Sequence, residues 1–191
     1  MNMGKLNRSQ EAFISALLGL MQEKQYREIT VSELAETAGY DRRTYYRYFQ
    51  NKDDILYLYC ASLLSDMTEI MMKKGSYTPE SGFLSYFEFW DKHRDFLMLL
   101  EKHGLLYFLG EKLDNLLYDN VGQNVHSDLP EKLDENSEFS QFAYYFTLGG
   151  LWAALSFWIK TGMRQSPERL TQHILDSFTA MSGFINVSPD N

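Results

Sequence analysis

Residues 30–52 read TVSELAETAGYDRRTYYRYFQNK, and this stretch decides the architecture of the chain. Thr30 followed by Glu33 forms a capping box, and Val31, Leu34, Ala35 and Ala38 recur at the spacing of one helical face. Gly39 stops that helix, and Asp41 can cap a second one. The three residues Gly39 to Asp41 have the length of the turn in a helix-turn-helix. At 100° per residue the second helix turns Tyr45 and Phe49 inward, and it turns Arg43, Tyr46 and Arg47 outward.

An outward face of this kind suits the major groove of DNA. A guanidinium such as that of Arg43 or Arg47 can bind guanine O6 and N7 together, and each good pair discriminates by roughly 1–3 kcal/mol. Arg42 stands nearer the helix start, within reach of a base edge or a phosphate. Thr44, Tyr46 and Tyr48 supply hydroxyls, and Lys52 supplies a point charge for phosphate, contacts that set register rather than sequence. The alternative for any one of these side chains is a solvated surface, and it is their shared face beside a turn of this length that favours DNA.

The longer stretch ITVSELAETAGYDRRTYYRYFQNKDDIL, residues 29–56, resembles the N-terminal signature of the TetR family of bacterial one-component regulators. Ala38, Gly39, Thr44, Tyr45, Tyr46, Tyr48, Phe49, Asn51, Lys52 and Asp53 carry the resemblance, which covers about the first sixty residues. It implies an all-α dimeric regulator whose C-terminal body senses an effector and moves two DNA-binding heads. Tyr45 departs from the Leu or Phe usual at that inward position, so its hydroxyl needs a partner or a route to solvent. A second stretch, YYFTLGGLWAALSFWIKTGMRQSPERL at 144–170, is similar to the body ending of a branch of the family that includes a dihydroxyacetone-kinase regulator.

Charge divides the chain in the same place. Residues 1–52 carry eight Lys or Arg against six Asp or Glu, whereas residues 53–191 carry ten against twenty. The net charge of −8 therefore belongs to the C-terminal part, and only the N-terminal head needs to meet phosphate. We expect a three-helix DNA-binding domain at 1–52 and a helical effector-binding and dimerisation domain at 53–191. With 13 Phe and 13 Tyr the body has ample material for an aromatic interior. The single cysteine, Cys60, lies in the apolar run Ile55–Leu64 and reads as a small buried hydrophobe in a reducing, cytoplasmic protein.

Lys5 and Arg8 precede an apolar stretch, but Glu11 interrupts it and no small-x-small cleavage site follows, so this is helix 1 rather than a signal peptide. Its predicted buried stripe is Ala12, Phe13, Ala16, Leu17, Leu20 and Met21. Further helices are expected from Lys52 (capped by Asn51) to Lys73 with Gly75 ending it, Pro79 to His93, Asp95 to His103, Leu105 to Asn120, and Pro167 to Phe184. Gly122–Ser137 and Asn186–Asn191 read as loop and tail, and Asp134, Glu135 and Glu138 as solvated surface. Phe142–Ile159 holds eighteen residues without a charge, about 27 Å of helix, yet Tyr144, Tyr145, Thr147 and Ser156 argue for a buried soluble helix and against a membrane span. Gly149, Gly150, Ala153 and Ala154 would let another helix approach closely, with a second subunit as the natural candidate and packing within one subunit as the alternative.

No Gly-rich phosphate loop, G-x-S-x-G, HExxH or Cys–His pairing at ligand spacing occurs, and His93, His103, His126 and His173 are too scattered to propose a metal site. Catalytic residues, metal ligands and cofactors are therefore assigned to none. An effector pocket is expected around Trp90, His103, Tyr107 and Tyr145, although the same aromatics serve equally as core. Three functions remain open. One is a repressor released from a palindromic operator by an apolar or aromatic small molecule. Another is a DNA-binding regulator or activator whose signal is a protein docking on the body. The third is an enzyme or carrier with a vestigial head. A buried aromatic pocket favours the first, an exposed apolar patch the second, and substrate turnover the third.

Overall fold

The computed structural model describes residues 6–73, 78–120 and 138–185, and their regular elements are all helices joined by short turns. Three helices make the head. The first, α1 (Arg8–Glu23), starts at Asn7, whose Oδ1 accepts from the amides of Ser9 and Gln10 at 3.0 Å while Gln10 Oε1 accepts from Asn7 N at 3.1 Å. A 3₁₀ turn at Tyr26–Glu28 leads to α2 (Val31–Ala38) and then α3 (Arg42–Tyr48). The stripe of α1 differs from expectation, because Ile14 is buried while Ala12 and Leu20 are only half-buried. The reason is tertiary: α1 packs on several sides, so its apolar arc is wider and centres on Phe13 and Leu17.

The body begins with α4 (Asp53–Lys73), followed by α5 (Pro79–Lys92), α6 (Arg94–Lys102), α7 (Tyr107–Asn120), α8 (Glu138–Lys160) and α9 (Pro167–Ile185). Asn51 does cap α4: its Oδ1 accepts from Asp53 N at 2.8 Å and Asp54 N at 3.2 Å, and Asp54 Oδ2 in turn accepts from Gln50 N and Asn51 N. Thr78 and Ser81 cap α5 in the same reciprocal way. α7 starts two residues later than the spacing predicts, because Leu105 N is spent on Leu100 O at 2.8 Å in closing α6 around Gly104, whose φ of +69° suits glycine. α8 starts four residues before the uncharged run. Gly75, residues 122–137 and residues 186–191 lie outside the described residues.

Helix α5 packs on α9, α4 on α7, and α6 on α8, and a continuous apolar core runs from Phe13 in the head to Trp158 and Ile159 in α8. Phe87 meets Trp158 edge-on at 5.8 Å. Arg94 at the start of α6 fixes the α8–α9 turn: it bonds Met163 O at 2.6 Å, pairs with Asp91 at 2.5 Å, and lies over the Trp158 ring. That grip holds Met163 at a positive φ of 51° with its side chain in the core. Among the described residues no helix is long and apolar enough to cross a membrane.

Candidate nucleic-acid interface

The turn of the head is built as the sequence spacing predicts. Gly39 takes φ +73°, and Gly39 N and Tyr40 N close α2 on Glu36 O and Ala35 O. Asp41 Oδ1 then accepts from Thr44 N at 2.7 Å to open α3. That hydrogen bond comes first among the causes that hold the Asp41 carboxyl below its usual range, with Arg47 and Arg43 adding smaller contributions. Tyr45 and Phe49 lock α3 against Phe13 of α1, with ring centres 5.5 and 5.7 Å apart and edge-on geometry.

With α3 anchored from within, Arg42, Arg43, Tyr46, Arg47 and Tyr48 all stand exposed, and Asp41, Arg43, Thr44, Tyr46 and Arg47 border one shallow open concavity. Arg47 does not hang free. Its Nη2 donates to Thr44 Oγ1 at 3.1 Å and its guanidinium lies 5.4 Å from the centre of the Tyr48 ring, while Arg42 lies 6.0 Å from that of Tyr46. Thr44 itself is half-buried, so its hydroxyl serves Arg47. The Tyr45 hydroxyl, the departure noted in the sequence, is buried without a hydrogen-bond partner among the described residues, and burial pushes its pKa up to about 12.

Lys52 is placed otherwise than the sequence suggests. Its ammonium donates to Tyr26 O at 2.6 Å and Ile29 O at 3.0 Å and sits over the Tyr26 ring, so it ties α4 to the 3₁₀ turn instead of presenting a free charge to phosphate. Burial accordingly lowers its pKa. Tyr26, which sequence reasoning passed over, is the hub of this junction. Its hydroxyl donates to Asp53 Oδ1 at 2.6 Å, and burial followed by Asp53 raises the phenol pKa well above the ordinary value.

The four residues expected to form an effector pocket are not brought together. His103 is a strut between body and head: its Nδ1 accepts from Tyr26 N at 3.4 Å and its Nε2 lies 2.8 Å from Met21 O, a pair that an imidazole protonated on Nε2 satisfies. Lys102 beside it donates to Gln22 O. Tyr107 is 54% exposed, Tyr145 is half-buried on α8, and Trp90 is a core residue packed on Phe89 and Tyr86. Helix is broken at His93 and at Gly104, between α5, α6 and α7, and residue spacing alone cannot reveal how the three are placed across those breaks. A concavity of the body lies elsewhere, an apolar groove of about 200 Å³ bordered by Phe83 of α5, Phe146, Gly150 and Ala154 of α8, and Ile174 and Phe178 of α9. Of the small residues, Gly150 and Ala154 border this groove, and Gly149, Gly150 and Ala153 lie exposed.

Comparison with known proteins agrees with this architecture. A family described as bacterial regulatory proteins, tetR family, matches residues 13–57, and one described as transcriptional regulator C-terminal region matches residues 77–179. The chain belongs to the TetR family of bacterial transcriptional regulators. Over 56 residues it is 39% identical to the HTH-type dhaKLM operon transcriptional activator DhaS of Lactococcus lactis, a match spanning 29% of this chain and 30% of that protein. Among solved structures, the fatty acid degradation regulator FadR of Bacillus halodurans is 17% identical with a TM-score of 0.59, covering 89% of this chain and 94% of that one. A dihydroxyacetone kinase operon activator DhaS is 24% identical with a TM-score of 0.52, covering 91% and 95%. FadR of Bacillus subtilis, solved in complex with stearoyl-CoA, is 20% identical with a TM-score of 0.50, covering 87% and 95%. At these identities the structural likeness is one of fold.

Proposed function

We propose that this protein is a cytoplasmic homodimeric repressor that leaves a palindromic operator when a small apolar or aromatic molecule binds its body, and that it has no catalytic activity. Residues 1–52 read the DNA, and residues 53–191 dimerise and bind the effector. The observation that carries the reading is the exposed face of α3, on which Arg43 and Arg47 flank Tyr46 while the inner face is locked by Tyr45 and Phe49. A duplex with two half-sites one helical turn apart matches a two-fold pair of such heads. The second subunit docks on α8, where Phe142, Phe146 and Phe157 are 71%, 57% and 66% exposed around Gly149 and Ala153, more contiguous apolar surface than a lone subunit usually shows.

The route from body to head runs through the junction at Tyr26. α6 grips the carbonyls at the end of α1 through Lys102 and His103, and α4 grips the next turn through Lys52 and Asp53. A ligand that favours one placement of α4 and α6 over another moves the head by as much as its affinities for the two differ, typically about 1–3 kcal/mol. Footprinting on the DNA upstream of the gene, followed by transcription in vitro with and without the protein, tests the proposal. A protected palindrome with reduced transcript is the expected result. Increased transcript would assign an activator, and an unprotected promoter would overturn operator binding.

A further inference from the structure

The C-terminal end of α1 is capped from another helix. Lys24 N closes on Leu20 O, and the next two carbonyls meet the end of α6: Met21 O lies 2.8 Å from His103 Nε2, and Gln22 O accepts from Lys102 Nζ at 3.3 Å. The last carbonyls of a helix have no partner within it, so donors and cations suit them. The other ring nitrogen of His103 meets the opposite kind of group. Nδ1 accepts from Tyr26 N at 3.4 Å, an amide that opens the 3₁₀ turn and so finds no acceptor inside it. One half-buried imidazole thus joins the body to α1 and to the turn that leads into α2.

The two bonds ask different things of the ring. Met21 O accepts from Nε2–H whether the imidazole is neutral or charged, whereas the Tyr26 amide can donate only to an unprotonated Nδ1. Protonation sets one hydrogen against another at Tyr26 N and leaves the Met21 O bond in place. Histidine is the side chain whose charge changes near neutral pH. The charges around it are already engaged: Lys102 with Gln22 O, Lys52 with Tyr26 O, Asp53 with the Tyr26 hydroxyl, and Lys24 with Glu33. Tyr107, at the start of α7, adds a phenol beside Tyr26. Glu23 at the end of α1, Arg27 and Glu28 in the turn, and Glu101 on α6 complete the set, and among the described residues no carboxylate pairs with the ring. We propose that His103 is a positioning residue for the head and holds it only as a neutral imidazole, so that protonation frees the Tyr26 amide and loosens the heads. Two heads meet two half-sites only at one separation, so heads freed from this strut bind the operator less tightly. This inference rests on the proposed route from body to head through Tyr26 and gives that route a pH dependence.

The test follows the full-length ¹⁵N-labelled protein from pH 8 to pH 5.5. At pH 8 the His103 ring is expected as the Nε2–H tautomer, its resonances assigned by their loss in His103→Gln. On acidification the Tyr26 amide should move upfield along the same curve as the ring, and its protection against exchange, corrected for the intrinsic effect of pH, should fall. Affinity for the duplex footprinted upstream of the gene, taken relative to His103→Gln, should drop about fivefold across this range, the worth of one neutral hydrogen bond. His103→Gln cannot titrate but still offers Met21 O a donor, and the comparison cancels His93, His126 and His173, which both proteins share. An Nδ1–H tautomer at pH 8 would overturn the proposal, and so would a Tyr26 amide indifferent to the ring. Neither measurement needs the variant to fold, because the ring can also be assigned through its contact with the Tyr26 amide. A freed amide with wild-type and His103→Gln affinities in constant ratio at every pH would also overturn it, since the contact would then titrate without positioning the head. If no duplex is protected, the proposed function fails by itself, and the ring and amide titrations still decide this inference.

Discussion

The ammonium of Lys52 lies 2.6 Å from the carbonyl oxygen of Tyr26 and 4.6 Å from the centre of the same residue's ring. The backbone of the 3₁₀ turn and its side chain thus share one cation, and Ile29 O takes a second of its hydrogens at 3.0 Å. A lysine between the recognition helix and a long acidic helix looks from the sequence like a phosphate contact, and the geometry makes it a structural clamp. Lys52→Ala should therefore cost about 1–3 kcal/mol of stability by removing the two hydrogen bonds that tie α4 to the 3₁₀ turn, although Tyr26 O keeps its bond from Ile29 N. The slope of log affinity against log salt on operator DNA should stay as in wild type, measured alongside urea unfolding. A slope reduced by about one would return Lys52 to the phosphates.

Arg47 is pre-positioned by Thr44 and Tyr48, and Arg43 stands beside it. Arg47→Ala should lower affinity for the preferred duplex by about 1–3 kcal/mol while changing affinity for random DNA far less. Thr44→Val should give a smaller loss of the same kind, since it frees the guanidinium without removing it. Titrations of both duplexes with each variant decide the matter, and equal losses on the two would show that Arg47 meets phosphate only.

Tyr45 carries a hydroxyl into the head core where no described group receives it. Removing such a group relieves a desolvation cost without opening a cavity, so Tyr45→Phe should raise stability by about 1 kcal/mol and move the thermal midpoint upward. A destabilised variant would mean that the hydroxyl has a partner, most simply a buried water.

A Cβ built at Gly149 meets nothing within 4 Å in the subunit. Gly149→Trp should then leave helicity and monomer folding intact while blocking the approach of a second α8, and sedimentation should show monomer where wild type is dimer. An intact dimer would place the interface on another face.

Glu33 pairs with Lys24 and accepts from Thr30 N, and the Lys24 hydrogen bond leads the causes that pull its pKa from 4.5 to about 2. The folded-state value is depressed, so this contribution is complete above about pH 4.5 and is lost as the pH falls towards 2. Glu33→Gln should flatten the fall of stability across that window, as read by thermal melts at pH 5, 4 and 3. Identical pH profiles for variant and wild type would show that the pair contributes nothing, which its exposure makes the alternative to defeat.

Much of the fold was legible because its signals are local. Thr30 with Glu33, Gly39, Asp41, Asn51 and Thr78 bond to groups within four residues, so spacing alone identifies the caps and turns, and with them the recognition helix and its outward arginines. The inner set of α3 was equally readable from its 100° period. Relations across long separations were not. Lys52 bonds a carbonyl 26 residues away and His103 one 82 residues away, and nothing in the local pattern distinguishes such a lysine or histidine from a solvent-exposed one. The aromatic pocket drawn through Trp90, His103, Tyr107 and Tyr145 failed for the same reason. Periodicity states which face of a helix is apolar, but the rotation between helices is set by the breaks at His93 and Gly104 and by packing. The sequence by itself therefore determined the helices, the head and its reading face, because hydrogen bonds within one turn and the 3.6-residue period are local. Only the tertiary structure decided that Tyr26 joins body to head and that Arg94 holds the α8–α9 turn, because both depend on contacts between helices far apart in the chain.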